Sequence, residues 1–416
     1  MLNRLPVFRT DAPAWLSSRL TSPTALGWYI FAFTSPLIGG LIGRVIKERP
    51  WLVDFDALAC AGVNMTRDLS PYAIKPFCEG MKATPYVYAP QIAGVFGHMI
   101  EALSYDLLRL SYVLALAIAL GFIGWVGMVK AMPHAPNALR IPVYAILTGG
   151  SIASGNIGIL LHAIILLCAL QLDKHRWPFI LAVIFGAFFK PTLMTYFIVL
   201  LYQDRPMKSR LATGFAAGIA GILAYLALIK SAGPLSDEWR ASLDQIVMTE
   251  QPGIGFFSWM PWIGLEPSST PSLILAALFM VTVAALGFAM AHWGKITAFE
   301  RIMLGLGVAQ LLNPRLMDYD ILYIAPAVVL MATMSRHLGL RQYQAVTWGL
   351  LIMCASILLI NNWDANALPI IPMSGLGITL LMLWVGSQIV WLNREKLIAP
   401  FTGLKKPRLQ SGLEPL

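Results

Sequence analysis

The chain has 416 residues, of which 57% are hydrophobic and only 12% charged, and its mean hydropathy is +0.69. Soluble domains are about half apolar at most, and the apolar runs here are continuous rather than alternating, so composition excludes both a soluble globular domain and a β-barrel. The net charge of +9 reads as a topology signal in such a chain; no basic stripe is interleaved with aromatics, so no nucleic-acid partner is expected.

Residues 1–23 lack the apolar core of a signal peptide and read as a cytoplasmic interfacial segment, with Arg4, Arg9 and Arg19 facing lipid phosphates. A first span is expected over Leu26–Ile46. The stretch 47–104 follows, polar and aromatic, with Pro71, Pro76, Pro85 and Pro90 among its residues, and too long for a connector. Asp106–Val129 is the second span. Shorter apolar runs lie near 141–152, 154–172, 178–189 and 191–202, with a longer one at 211–231. Gly-Gly, Ser-Gly-Asn and Lys-Pro interrupt the short ones, the pattern of tilted or broken helices that line a cavity. A second polar stretch covers 232–269. Apolar runs then resume near 271–291, 302–312, 321–335, 345–361 and 370–392, and a basic tail, 393–416, closes the chain. The expectation is an all-α polytopic membrane protein with about 11–13 transmembrane or re-entrant helices, one domain over 24–392, and two long external loops, 47–104 and 232–269. Basic residues gather on alternate loops and on both termini, which places the termini in the cytoplasm and the long loops outside; the first loop breaks the pattern with Lys47, Arg49, Arg67, Lys75 and Lys82, as either a loop handling an anionic ligand or a solvated surface loop would.

The stretch 53–72 carries Asp54, Asp56, Arg67 and Asp68, an unusual group in a chain that is 12% charged. In an extended strand Asp54 and Asp56 would point the same way and could share a divalent metal. Phe55, Leu58, Ala59 and Gly62 instead fall at helical spacing, and in a helix the two carboxylates diverge by roughly 200°. Asp54 then begins the helix, either as its cap or as a general base beside a membrane cavity. Cys60 and Cys78 share the first loop and pair if that loop meets an oxidising compartment; two free thiols are the other reading. No Cys/His spacing makes a zinc site, and the six histidines are scattered.

Other polar residues interrupt apolar sequence. Tyr72, in Ser70-Pro71-Tyr72, and Tyr88, in the stretch 86–90, read as interfacial aromatics or as substrate contacts. Asn156 stands in Ser154-Gly155-Asn156. Lys190 sits inside an apolar run before Pro191, where it either ends a short helix or holds an anion. Late in the chain, Arg315 either pairs with Asp318 or Asp320 or meets a phosphate. Glu250 and Trp259, in the second loop, offer a polar end and an aromatic face of the kind that stacks on sugars, or else anchor the interface.

The order of these features resembles the GT-C membrane glycosyltransferases, most closely glycosyltransferase family 87, whose members include polyprenol-phosphate-mannose-dependent mannosyltransferases. The features are one span, an external stretch opening with Asp54, a Ser-Pro-Tyr, a Tyr-x-Tyr-x-Pro at 86–90, Gly155-Asn156, and Lys190-Pro191. The resemblance covers roughly residues 24–335. It implies that Asp54 is the general base, that Tyr88 and Pro90 match a Tyr-Pro-Pro-like element with Ala89 in place of the first proline, and that Asn156 and Lys190-Pro191 match an asparagine-bearing helix and a Lys-Pro element. In the segment 313–320 the family has a histidine and this chain has none. The activity implied is transfer of a mannose-like hexose, with inversion, from a polyprenyl phosphate to a hydroxyl of a glycolipid or glycan. It takes place at the outer face of a bacterial inner membrane, facing the periplasm or cell exterior. Lys190, Arg315 and Arg67 are the expected phosphate cations, and Asp56, Tyr72, Tyr88, Asn156, Asp318, Asp320, Glu250 and Trp259 the substrate contacts. A phosphate leaving group carries its charge well, so neither metal nor cofactor is expected. A secondary transporter or flippase for lipid-linked or anionic substrates is the alternative, because an intramembrane lysine and broken helices suit that as well.

Overall fold

The computed structural model describes residues 12–130, 135–145, 153–250, 253–360 and 370–395. The expectations placed on Arg4 and Arg9, on 146–152 and on the tail beyond 395 lie outside these residues, as do the side chains of Glu250 and Asp318. The regular structure among the described residues is all helical, with no strand. Among these residues four helices are long and apolar enough to cross a membrane: Tyr105–Gly127, Met207–Ser231, Thr270–Trp293 and Gly375–Leu392. Their outer faces carry large apolar side chains such as Ile118, Phe215 and Val281, which are 72%, 70% and 68% exposed. A contiguous apolar surface of that kind is untenable in water and suits a bilayer.

Local sequence explains most of the boundaries. Ser22 accepts a hydrogen bond from the Ala25 amide and Pro23 opens Pro23–Ile46; Ser269 and Pro271 do the same for Thr270–Trp293. A capping box, Thr297 with Glu300, starts Ala298–Leu311, each side chain satisfying an amide that the first turn leaves without a partner. At Lys190 the chain is extended (φ −133°, ψ 102°), as a residue before proline must be. The helix Trp177–Phe189 therefore stops there and a 3-10 turn, Pro191–Phe197, begins.

Inside the long helices sits a core of short ones. Gly158–Ala169 has 12 residues and is about 18 Å long, well short of the roughly 30 Å hydrocarbon layer. Ala298–Leu311 and Ile324–Met334 are buried along almost their whole length. About half of the stretch 47–104 is helical: Val53–Thr66 and Pro90–Leu103 form a pair, joined by the irregular segment 67–89. The pair packs closely because glycines meet at the crossing. A Cβ on Gly62 would lie 2.5 Å from the Gly97 nitrogen, and one on Gly97 would lie 2.7 Å from the Gly62 carbonyl oxygen. Phe55 fills the space toward Phe96 and Tyr112, with ring centroids 6.5 and 4.7 Å away. The second polar stretch also holds helical turns, Ser236–Ser242 and Phe256–Ile263 among them.

Cys60 and Cys78 are joined by a disulfide across 18 positions, Cα atoms 5.7 Å apart. It ties the buried middle of the 53–66 helix to the irregular segment. A cross-link closing a loop of this size contributes about 3 kcal/mol through the unfolded state. Cys78→Ser is therefore expected to lower thermal stability by a comparable amount, and a reducing agent should do the same to the wild type but not to the variant.

Candidate functional site

A cavity of about 230 Å³ opens where the two polar stretches meet the broken helices. Asp54, Thr84, Tyr88, Asn156, Lys190, Arg315 and Asp320 all line it. Each residue arrives through a local device. Leu52 adopts a left-handed conformation (φ 60°) and its amide donates to the Ala153 carbonyl at 2.8 Å. That bond sets the start of the 53–66 helix against the 153–157 turn. Tyr112 pins the same turn by donating to the Gly155 carbonyl at 2.8 Å.

Asp54 is the second residue of its helix. The cap position belongs to Leu52 and makes no side-chain cap bond, so the capping reading of Asp54 does not hold. Its carboxylate instead faces the cavity, accepting from Asn156 Nδ2 at 3.0 Å and, more weakly, from the Thr84 hydroxyl at 3.4 Å. Asn156 is held by its own turn, its Oδ1 accepting from the Gly158 amide at 2.9 Å, an Asx turn that leaves the side-chain NH₂ aimed at Asp54. Burial and then the Asp54 charge push the Tyr88 phenol above its ordinary range, so it stays a protonated donor at the cavity wall.

Across the cavity, Lys190 Nζ lies 3.3 Å from Asp320 Oδ1. The ammonium also lies close beside Gly158: a Cβ there would be 2.7 Å from it. Asp320 takes a second bond from His162 Nε2 at 3.0 Å. It sits on the 318–323 turn, outside the long apolar helices. Burial alone would push its carboxyl up, but Lys190 beside it and the His162 bond outweigh burial and hold it down at about 2. An acid held below its unfolded value stabilises the fold at neutral pH and loses that contribution only as pH falls from about 4 toward 2. The Asp320 carboxylate therefore stays ionised from pH 5 to 8.

The second polar stretch roofs the cavity. Trp239 Nε1 donates to the Val87 carbonyl at 3.1 Å and Ser242 to the Tyr86 carbonyl at 2.9 Å. The Ile254 amide donates to Leu316 at 2.7 Å and the Phe257 amide to Pro314 at 3.0 Å. Leu243, Ile246 and Phe257 supply apolar lining. The arrangement gathers a carboxylate able to accept a proton and cations able to hold an anion into one site partly shielded from water.

Four residues expected at the site lie elsewhere. Asp56 diverges from Asp54, is buried, and accepts from the Lys82 amide at 2.9 Å and from Tyr105 Oη at 2.7 Å; it fastens the irregular segment to its helix. Arg67 is exposed at the opposite end of the 53–66 helix, about 20 Å from Asp54 by helical rise. The Tyr72 hydroxyl donates to the Tyr88 carbonyl at 2.8 Å and so supports the cavity wall from behind. Trp259 packs against Phe256 and Phe279, ring centroids 5.9 Å away in both cases, in a separate apolar cluster. In the other direction, sequence reasoning passed over His162. Its signal was that of Lys190, a titratable residue inside an apolar run.

No protein-family model, no curated protein and no solved structure matches the chain. Among the described residues no cluster of His, Cys, Asp and Glu is arranged to hold a metal ion.

Proposed function

We propose that this chain is a membrane glycosyltransferase of the GT-C kind, moving a mannose-like hexose from a polyprenyl phosphate to a hydroxyl of a glycolipid or glycan at the outer face of a bacterial inner membrane. The observation that carries this reading is one cavity lined by Asp54 together with Lys190 and Arg315. The residues come from three separate parts of the chain, and the chemistry requires the carboxylate and the cations together. Asp54 accepts the acceptor's hydroxyl proton as its oxygen forms a bond to the anomeric carbon. The bond from that carbon to the phosphate oxygen breaks, its electron pair leaves on the polyprenyl phosphate, and Lys190 and Arg315 stabilise the added charge. One displacement inverts the anomeric centre, and the cavity supplies proximity. The Cys60–Cys78 disulfide supports an oxidising side for the first polar stretch, in agreement with the distribution of basic residues.

A transporter or flippase is favoured by one specific observation, the ion pair Lys190–Asp320 at a helix break. Purified protein in liposomes loaded with polyprenyl-phosphate hexose separates the two. A transferase releases polyprenyl phosphate when given a lipid extract as acceptor, whereas a flippase moves the donor intact.

Gly158→Ala gives a milder test. The new methyl would lie 2.7 Å from the lysine Nζ and 2.9 Å from Asn156 Oδ1, so both the cation and the amide that holds Asp54 must shift. The expected result is a raised KM for the donor together with slower turnover; an unchanged KM would remove Lys190 from the phosphate site.

A further inference from the structure

His162 is fully buried and takes no part in lining the cavity, yet it touches both arms of the cation site. Its Nε2 lies 3.0 Å from Asp320 Oδ1, the same oxygen that Lys190 approaches at 3.3 Å. Its Nδ1 lies 3.0 Å from the hydroxyl of Tyr196, which sits on the 3-10 turn that begins just after Lys190. Tyr323, on the same turn as Asp320, donates its hydroxyl to the His162 backbone carbonyl. The imidazole is wedged edge-on between these two tyrosine rings, at centroid distances of 5.8 and 5.5 Å. The helix that carries His162 starts at Gly158, directly after the turn whose Asn156 holds Asp54. The turn and the short helix it leads into therefore hold Asp54 and Asp320, two carboxylates of the same cavity.

A buried histidine with a hydrogen-bond partner on each ring nitrogen has its tautomer set by those partners. A phenol donates to the bare nitrogen, and the N–H on the other side then faces the carboxylate. We infer that His162 is the positioning residue of the phosphate cation: with Tyr196 donating to Nδ1, it gives its Nε2 proton to Asp320 and aims that carboxylate so that Lys190 is held as an ammonium at the cavity wall. This rests on the proposed function, since it assigns the anion as the phosphate of a lipid-linked donor. Without His162 the Asp320 carboxylate keeps one partner, turns toward the ammonium and draws it off the cavity.

The test is the binding of citronellyl phosphate and of the neutral alcohol citronellol to the detergent-purified full chain by titration calorimetry. The wild type should prefer the phosphate. His162→Phe keeps a ring but loses the donor, and should weaken phosphate binding by at least about tenfold, the worth of a hydrogen bond to a charged group, with the alcohol unaffected. His162→Gln restores an N–H near the Nε2 position and should return phosphate binding close to the wild-type value, which a merely space-filling histidine would not require. Nitrogen-15 NMR of the histidines in the unmodified protein at pH 7 reads the tautomer directly, and His162 should carry its proton on Nε2. A proton on Nδ1, or a phosphate preference that survives His162→Phe, overturns the inference alone. Equal wild-type affinity for phosphate and alcohol overturns the proposed function and this inference with it.

Discussion

Asp54→Asn should reduce sugar transfer by about 10²–10⁴-fold, the range for loss of a general base, while leaving the protein folded and able to bind donor. The substitution changes little else. Asparagine fills the same space, and its amide oxygen still accepts from Asn156, as the Asp54 carboxylate does at 3.0 Å. Only the ability to take a proton is lost. Turnover is read by mass spectrometry of released polyprenyl phosphate, and folding by the melting temperature. Asp56→Asn makes the contrast. Asp56 bonds to the Lys82 amide and the Tyr105 hydroxyl rather than facing the cavity, so its loss should show first in stability. Were Asp54→Asn to turn over at the wild-type rate with Asp56→Asn inactive but stable, the roles assigned to the two carboxylates would be reversed.

Lys190→Met is the second large effect, and it combines stability with function. Lys190 and Asp320 are both largely buried, with side chains 13% and 6% exposed. Removing one partner of a buried ion pair leaves the other uncompensated and costs about 3–5 kcal/mol. The double variant Lys190→Met with Asp320→Asn removes both charges and should recover most of that loss. Transfer activity should stay low in the single and the double variant alike, because the phosphate still lacks its cation. Recovery of stability without activity separates the two roles; recovery of both would make Lys190 a purely structural partner of Asp320.

The sequence made some of this legible for physical reasons that can be stated residue by residue. Apolar runs mark long helices well: the span expected from Leu26 is the helix Pro23–Ile46, and the run 370–392 is the helix Ile370–Leu392. The Lys190-Pro191 break was readable because proline constrains its neighbour whatever the tertiary context. The spacing of Phe55, Leu58, Ala59 and Gly62 gave the helix at Asp54 and the divergence of Asp56. Asp54, Tyr88, Asn156, Lys190, Arg315 and Asp320, singled out separately in the sequence, line one cavity.

What was not legible depends on partners far away in the chain. Most of 47–104 looked like a loop because its two helices are short and become stable only against each other, at the crossing of Gly62 and Gly97. His162 is 158 positions from Asp320, so no local pattern links them. Trp259 looked like a sugar platform because an interfacial aromatic and a stacking aromatic share the same sequence signature; its Phe279 neighbour decides its surroundings. Arg67 was grouped with Asp54 by closeness in sequence, whereas the length of the helix between them keeps them apart.

The most direct measurement incubates the purified chain in nanodiscs with a panel of polyprenyl-phosphate sugars and an acceptor lipid extract, and reads the products by mass spectrometry and the new anomeric bond by NMR. The predicted result is consumption of a hexose donor, release of polyprenyl phosphate, addition of one hexose mass to an acceptor with inverted configuration, and silence from Asp54→Asn. Failure of the wild type to consume any donor of the panel, or transfer with retained configuration, contradicts the account.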